Sequence, residues 1–131
     1  MILLDTNVVI AFFNGNKAVL KRIQAEIDRI ALSTLVVAEL DYGAKASQKA
    51  KENSEKLDRF IDIVRVVPFN LECAKTFGSI KSKLRKLGKP TGEMDALIAA
   101  TAMAHKAVLI TGNRKHFENI DGLKLQIWPI G

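Results

Sequence analysis

Residues 1–7 read MILLDTN, and this stretch decides the fold. Ile2, Leu3 and Leu4 form an unbroken apolar run, the pattern of a strand buried on both faces. Asp5, Thr6 and Asn7 follow at once, and these are turn and helix-capping residues. A buried strand feeding a helix is the opening of a parallel β–α unit. The alternation recurs downstream. Ile30-Ala31-Leu32 is a second short strand, with Ser33 or Thr34 as the cap of the helix that follows. Val64 to Val67 is a third, stopped by Pro68, whose missing N–H cannot extend a ladder. Ala107 to Ile110 reads as a fourth strand and Leu125 to Ile127 as a weaker fifth.

The intervening segments have helical spacing. Lys17 to Asp28 puts Leu20, Ile23 and Ile27 on one face, and Val36, Val37, Leu40 and Ala44 make the next apolar stripe. Glu39 borders that stripe instead of pointing fully outward. Residues 45–56, KASQKAKENSEK, have few apolar anchors and read as a solvated helix end plus a turn near Asn53-Ser54. Leu57, Phe60, Ile61 and Val64 then restore helical spacing. A long helix follows with Phe77, Ile80, Leu84 and Leu87 inward and Lys81, Lys83, Arg85 and Lys86 mostly outward, ended by Gly88-Lys89-Pro90. Met94 to His105 is another helix, dense in alanine. The expectation is an α/β fold, a mainly parallel sheet covered by helices on both faces.

At 131 residues with a 48% hydrophobic share, the chain suits one domain, residues 1–131, without linker or repeat. No apolar run approaches the roughly 20 residues needed to span a bilayer, and MILLDTN does not begin a signal peptide. A lone cysteine, Cys73, can form neither an internal disulfide nor a zinc site by itself. The expected compartment is the cytoplasm. Twenty basic against fourteen acidic residues leave a net charge of +6. Such a surface attracts phosphate backbones over long range, although solubility alone explains it equally well.

The position of the acids breaks that tie. In open α/β sheets, sites form beyond the carboxyl ends of the strands. Asp5 directly follows the first strand, and Glu39 lies almost two turns into the helix after the second. Asp95 opens the helix that runs back to the fourth strand, and Asn113 follows that strand in Thr111-Gly112-Asn113. All four are expected on one rim. Singly, Asp5 reads as a helix cap, Asp95 as a complement to a helix dipole and Glu39 as a surface acid. Together, converging carboxylates repel and raise each other's pKa unless a cation neutralises them. A hard divalent ion such as magnesium, held by a few carboxylates and several waters, resolves the conflict. Carboxylate-held magnesium or manganese beside a basic surface points to phosphodiester hydrolysis. Lys81, Arg85, Lys86 and Lys89, with part of residues 45–56, are expected to line the path of a nucleic-acid phosphate backbone.

Four segments in this order, LLDTN, STLVVAEL, GKPTGEMDALIAATA and LITGNRKHF, resemble the PIN domain, most of all the VapC-type toxins of toxin–antitoxin modules. The likeness runs from Ile2 to about Trp128. It implies a five-stranded parallel sheet of order 3-2-1-4-5 in a three-layer α/β/α fold. It further implies a magnesium- or manganese-dependent endoribonuclease, usually a homodimer, with a small VapB-like antitoxin that blocks the active site. Asp5, Glu39 and Asp95 match the family's first three acids and its metal ligands. The fourth position, often aspartate, is Asn113, which supplies an oxygen but no charge and puts a second tightly bound metal in doubt. Glu93, two before Asp95, reads more simply as a surface acid.

Other residues invite simpler readings. His105 reads as a helix C-terminal cap, His116 as a residue near the rim and Phe117 as a core plug. Cys73 reads as packing, and Trp128 as cover for a sheet edge or dimer surface before a base-stacking platform. Thr6 and Asn7 serve equally as caps or as partners of metal-bound water. Two alternatives stay open: a housekeeping PIN nuclease for RNA processing or structure-specific DNA cleavage, and a catalytically silent RNA-binding scaffold. A receiver or phosphatase-like domain needs paired acids that Asp5-Thr6-Asn7 does not supply.

Overall fold

The computed structural model describes residues 1–130. Five short strands, β1 (Ile2–Leu4), β2 (Ile30–Ser33), β3 (Arg65–Val67), β4 (Val108–Thr111) and β5 (Leu125–Ile127), form one sheet. Their order is β3-β2-β1-β4-β5 and every neighbouring pair is parallel. Six α-helices connect them: α1 (Thr6–Phe13), α2 (Lys17–Glu26), α3 (Thr34–Ala46), α4 (Ala50–Ile63), α5 (Leu71–Leu87) and α6 (Glu93–Ala104). The crossovers through α1 to α4 step outward from β1 to β3, and α5 with α6 returns to β4. Right-handed crossovers in opposite directions put helices on opposite faces. The strand order therefore reverses between β1 and β4, where Ile2 pairs with Val108 and Leu4 with Ile110.

β1 and β2 are buried at every position, as central strands covered on both sides must be. Leu3, Leu4, Leu32, Leu109, Ile110 and Phe117 sit among the largest fully buried side chains, so the plug reading of Phe117 holds. Trp128 is 2% exposed, donates its backbone N–H to Thr111 O at 3.0 Å and lies under the Arg22 guanidinium. No free indole face is left there for a base. Among the described residues, no helix is long and apolar enough to cross a membrane.

Several sequence expectations need correction. Asn53 and Ser54 form no turn, since α4 runs unbroken through them and the break falls at residues 47–49. Asn53 spends its amide on Ser47 Oγ at 2.9 Å, tying the start of α4 to the end of α3. In α2 the buried positions are Val19 and Ile23, and Leu20 is exposed. Leu87 also points outward, because α5 ends there: Gly88 takes φ 64° and Lys89 N–H closes onto Leu84 O at 3.0 Å. His105 stands at the end of α6, but its ring contacts Pro68 O at 2.9 Å, a carbonyl of the β3–α5 loop rather than of its own helix.

Candidate active site

The four rim residues come from the expected elements. Asp5 is the N-cap of α1 and accepts from Thr6 N–H at 2.9 Å. Its backbone N–H donates to Ile110 O at 2.8 Å, which ties the end of β1 to β4. Its other carboxylate oxygen accepts from Thr111 Oγ1 at 2.7 Å, and that same hydroxyl accepts from Asn113 N–H at 3.2 Å. The Asn113 loop and Asp5 are thus linked through one buried threonine. Glu39, half-buried on α3, accepts from Thr6 Oγ1 at 2.6 Å. Asp95 lies in the first turn of α6, where Gly92 caps without a side chain. Its Oδ2 is 3.3 Å from His116 Nδ1.

Electrostatics show the carboxylates acting on each other. Burial pushes the Asp5 carboxyl above its ordinary value; hydrogen bonds from Thr111 and Thr6 oppose this, and the charges of Asp95 and Glu39 add to it. Asp95 is also raised, by burial first and by Glu39, against the pull of His116. As placed, no three His, Cys, Asp or Glu side chains among the described residues close into a metal cage. Each acid is turned toward a protein partner instead: Thr111, Thr6 or His116. The donor set still suits a hard divalent cation, being all oxygen, crowded and short of positive charge. Cys73, the lone thiol, is buried in α5, its Sγ near Pro68 O.

Lys81, Arg85, Lys86 and Lys89 all line one wide cleft of about 960 Å³, together with Pro90 and Thr91. None of residues 45–56 lines this cleft. The cleft adjoins the rim through consecutive residues: Thr91 lines the cleft, and Gly92 lies against Asp95. Glu93 is exposed and 3.5 Å from Lys81 Nζ, in keeping with a surface acid. Sequence reading passed over Thr111, whose only signal was a hydroxyl at the end of an apolar strand beside Asp5. It also left His116 as a neighbour of the rim, and Thr6 undecided.

The model of the PIN domain matches residues 2–123. Ribonuclease VapC2 of Rickettsia felis is 34% identical, covering 96% of each chain. The tRNA(fMet)-specific endonuclease VapC of Shigella flexneri is 29% identical over 96% of each chain. A crystal structure of VapBC2 from Rickettsia felis, bound to a DNA fragment from their promoter, superposes with TM-score 0.91 at 33% identity. That match covers 98% of this chain and 99% of the other. The chain belongs to the PIN-domain family, and within it to the VapC ribonucleases.

Proposed function

We propose that this protein is a divalent-metal-dependent endoribonuclease, the toxin of a toxin–antitoxin pair. The observation behind this reading is the gathering of Asp5, Glu39 and Asp95 where the strand order reverses in a VapC-family chain, with burial and the neighbouring carboxylates raising Asp5 and Asp95. Asp5, Glu39 and Asp95 would hold magnesium or manganese, with Asn113 contributing an uncharged oxygen. When bound, such an ion lowers the pKa of a water and stabilises the leaving oxygen of a phosphodiester. The chain's own part is to orient and to bind. Thr111 and Thr6 N–H hold the Asp5 carboxylate in one direction, and Thr6 Oγ1 holds Glu39. Lys81, Arg85, Lys86 and Lys89 hold the phosphates flanking the scissile bond.

The partners follow from the same reading: RNA as substrate, a second copy of the chain, and a small VapB-like antitoxin. An apolar groove of about 230 Å³ between α1, α3 and α4 is lined by Ile10, Phe13, Leu40 and Leu57 and also by Glu39. An antitoxin segment seated there would reach a candidate ligand and silence the site. A ribonuclease acting on cellular RNA would work in the cytoplasm. Initiator tRNA is the first substrate to try, given the relative named for it. The test incubates the full chain with tRNA and with unstructured RNA, in magnesium, in manganese and in excess chelator. Cleavage only with metal, lost in Asp5→Asn and Asp95→Asn, is expected; full cleavage in chelator ends the reading.

A further inference from the structure

Asp95 is held differently from the other two acids. Asp5 and Glu39 are fixed by threonine hydroxyls, whereas Asp95 Oδ2 meets an imidazole, His116 Nδ1, at 3.3 Å. A second constraint falls on the same oxygen. A Cβ at Gly92 would stand 3.3 Å from Asp95 Oδ2, close enough that the carboxylate must give way. Nothing in the backbone asks for glycine there, since φ −54° and ψ 145° are open to any residue. Glycine even forgoes the stabilising cap that Ser, Thr, Asp or Asn would provide at the head of α6. Room for the Asp95 carboxylate accounts for it.

His116 is equally well placed from behind. It ends the short 3-10 turn Arg114–His116, and the next residue, Phe117, is fully buried. The buried ring fixes the backbone, while the His116 side chain stays half exposed and fills no hole in the core. We propose that His116 is a positioning residue for the cation site, its imidazole standing against Asp95 Oδ2 at 3.3 Å while Gly92 leaves that oxygen its room. The carboxylate then meets a divalent ion already oriented. Side chains that orient a ligating carboxylate from behind are worth about tenfold to a hundredfold in metal affinity or activity. The inference rests on the cation reading above.

The experiment titrates the full chain and its variants with Mn2+, counting free ion by electron paramagnetic resonance, and assays a fluorogenic RNA oligonucleotide. His116→Ala should weaken Mn2+ binding by about tenfold or more, with the melting temperature essentially unchanged. His116→Asn, whose amide can stand against the same carboxylate oxygen, should recover most of the affinity. Gly92→Ala should weaken Mn2+ binding by displacing the same oxygen. At saturating Mn2+, KM for the oligonucleotide should hold in His116→Ala. Unchanged Mn2+ affinity with a raised KM would overturn the proposal and make His116 an RNA contact. Tighter Mn2+ binding would overturn it too, because the ring would then be competing with the ion. Asp95→Asn separates the two readings. If it binds Mn2+ like the parent, the cation reading fails and takes this one with it. If it loses Mn2+ while His116→Ala keeps it, the positioning role alone fails.

Discussion

Asp5 serves two ends that pull against each other: it caps α1, and it lies buried beside two more carboxylates. Its folded-state pKa is raised above the ordinary 3.8. The stability this group contributes is therefore full below that value and is lost as pH rises through the raised one. Asp95 has the same sign. In chelator, the melting temperature of Asp5→Asn relative to the parent should improve as pH rises above the ordinary 3.8 and through the raised value. A difference that stays constant across that range would show that Asp5 is not strained by its charge. Thr111→Val tests the hydroxyl that links Asp5 to Asn113. It removes a buried donor and an acceptor at once, so urea unfolding should show a loss of about 1–3 kcal/mol. Thr111→Ser should lose less. The acids were legible in the sequence because each occupies a fixed place in a β–α unit. Thr111 was not, because its meaning lies in a contact 106 residues away along the chain.

The long helix α5 shows what periodicity can and cannot tell. Its inward residues Ile80 and Leu84 and its glycine stop were readable, and Gly88 does take the left-handed conformation. Gly88→Ala, with open space around it, should cost about 1 kcal/mol from backbone strain alone. A full apolar stripe could not reveal that Leu87 lies past the last packed turn, since only the neighbouring elements decide where burial ends. The same limit applies to residues 45–56, where the polar run hides a helix anchored by Leu57 and Phe60 further along. The outward face is the functional question. Lys81→Gln with Arg85→Gln should weaken RNA binding at low salt and lower the slope of log K against log salt by about 1.4 for single strands. Turnover at saturating RNA should change little, because these cations bind phosphates away from the reacting bond. An unchanged slope would remove α5 from the RNA surface.

At the scale of the molecule, a net charge of +6 surrounds a rim that is locally acidic. Strand order was beyond the reach of periodicity, which finds strands but not their neighbours; the family resemblance supplied it, and the pairing of β1 with both β2 and β4 bears it out. That pairing makes the acidic rim a property of the tertiary fold, since Asp5, Glu39 and Asp95 come from separate β–α units and meet only when those units have packed together. Unfolding must therefore disperse any shared cation, and the cation must stabilise the folded state. At a free concentration about a hundred times its Kd the gain is about 2.7 kcal/mol, on the order of 10 °C in melting temperature for a chain of this size. Mn2+ should accordingly raise the melting temperature at pH 7. The gain should shrink toward about pH 4, where protons occupy the raised Asp5 and Asp95 carboxyls and compete with the ion. Calcium, with its looser coordination, should support cleavage poorly even where it stabilises the fold. Asp5→Asn should abolish most of the Mn2+ shift. Equal shifts in the parent and in Asp5→Asn would mean that the ion binds elsewhere on the surface and that the three acids do not share it.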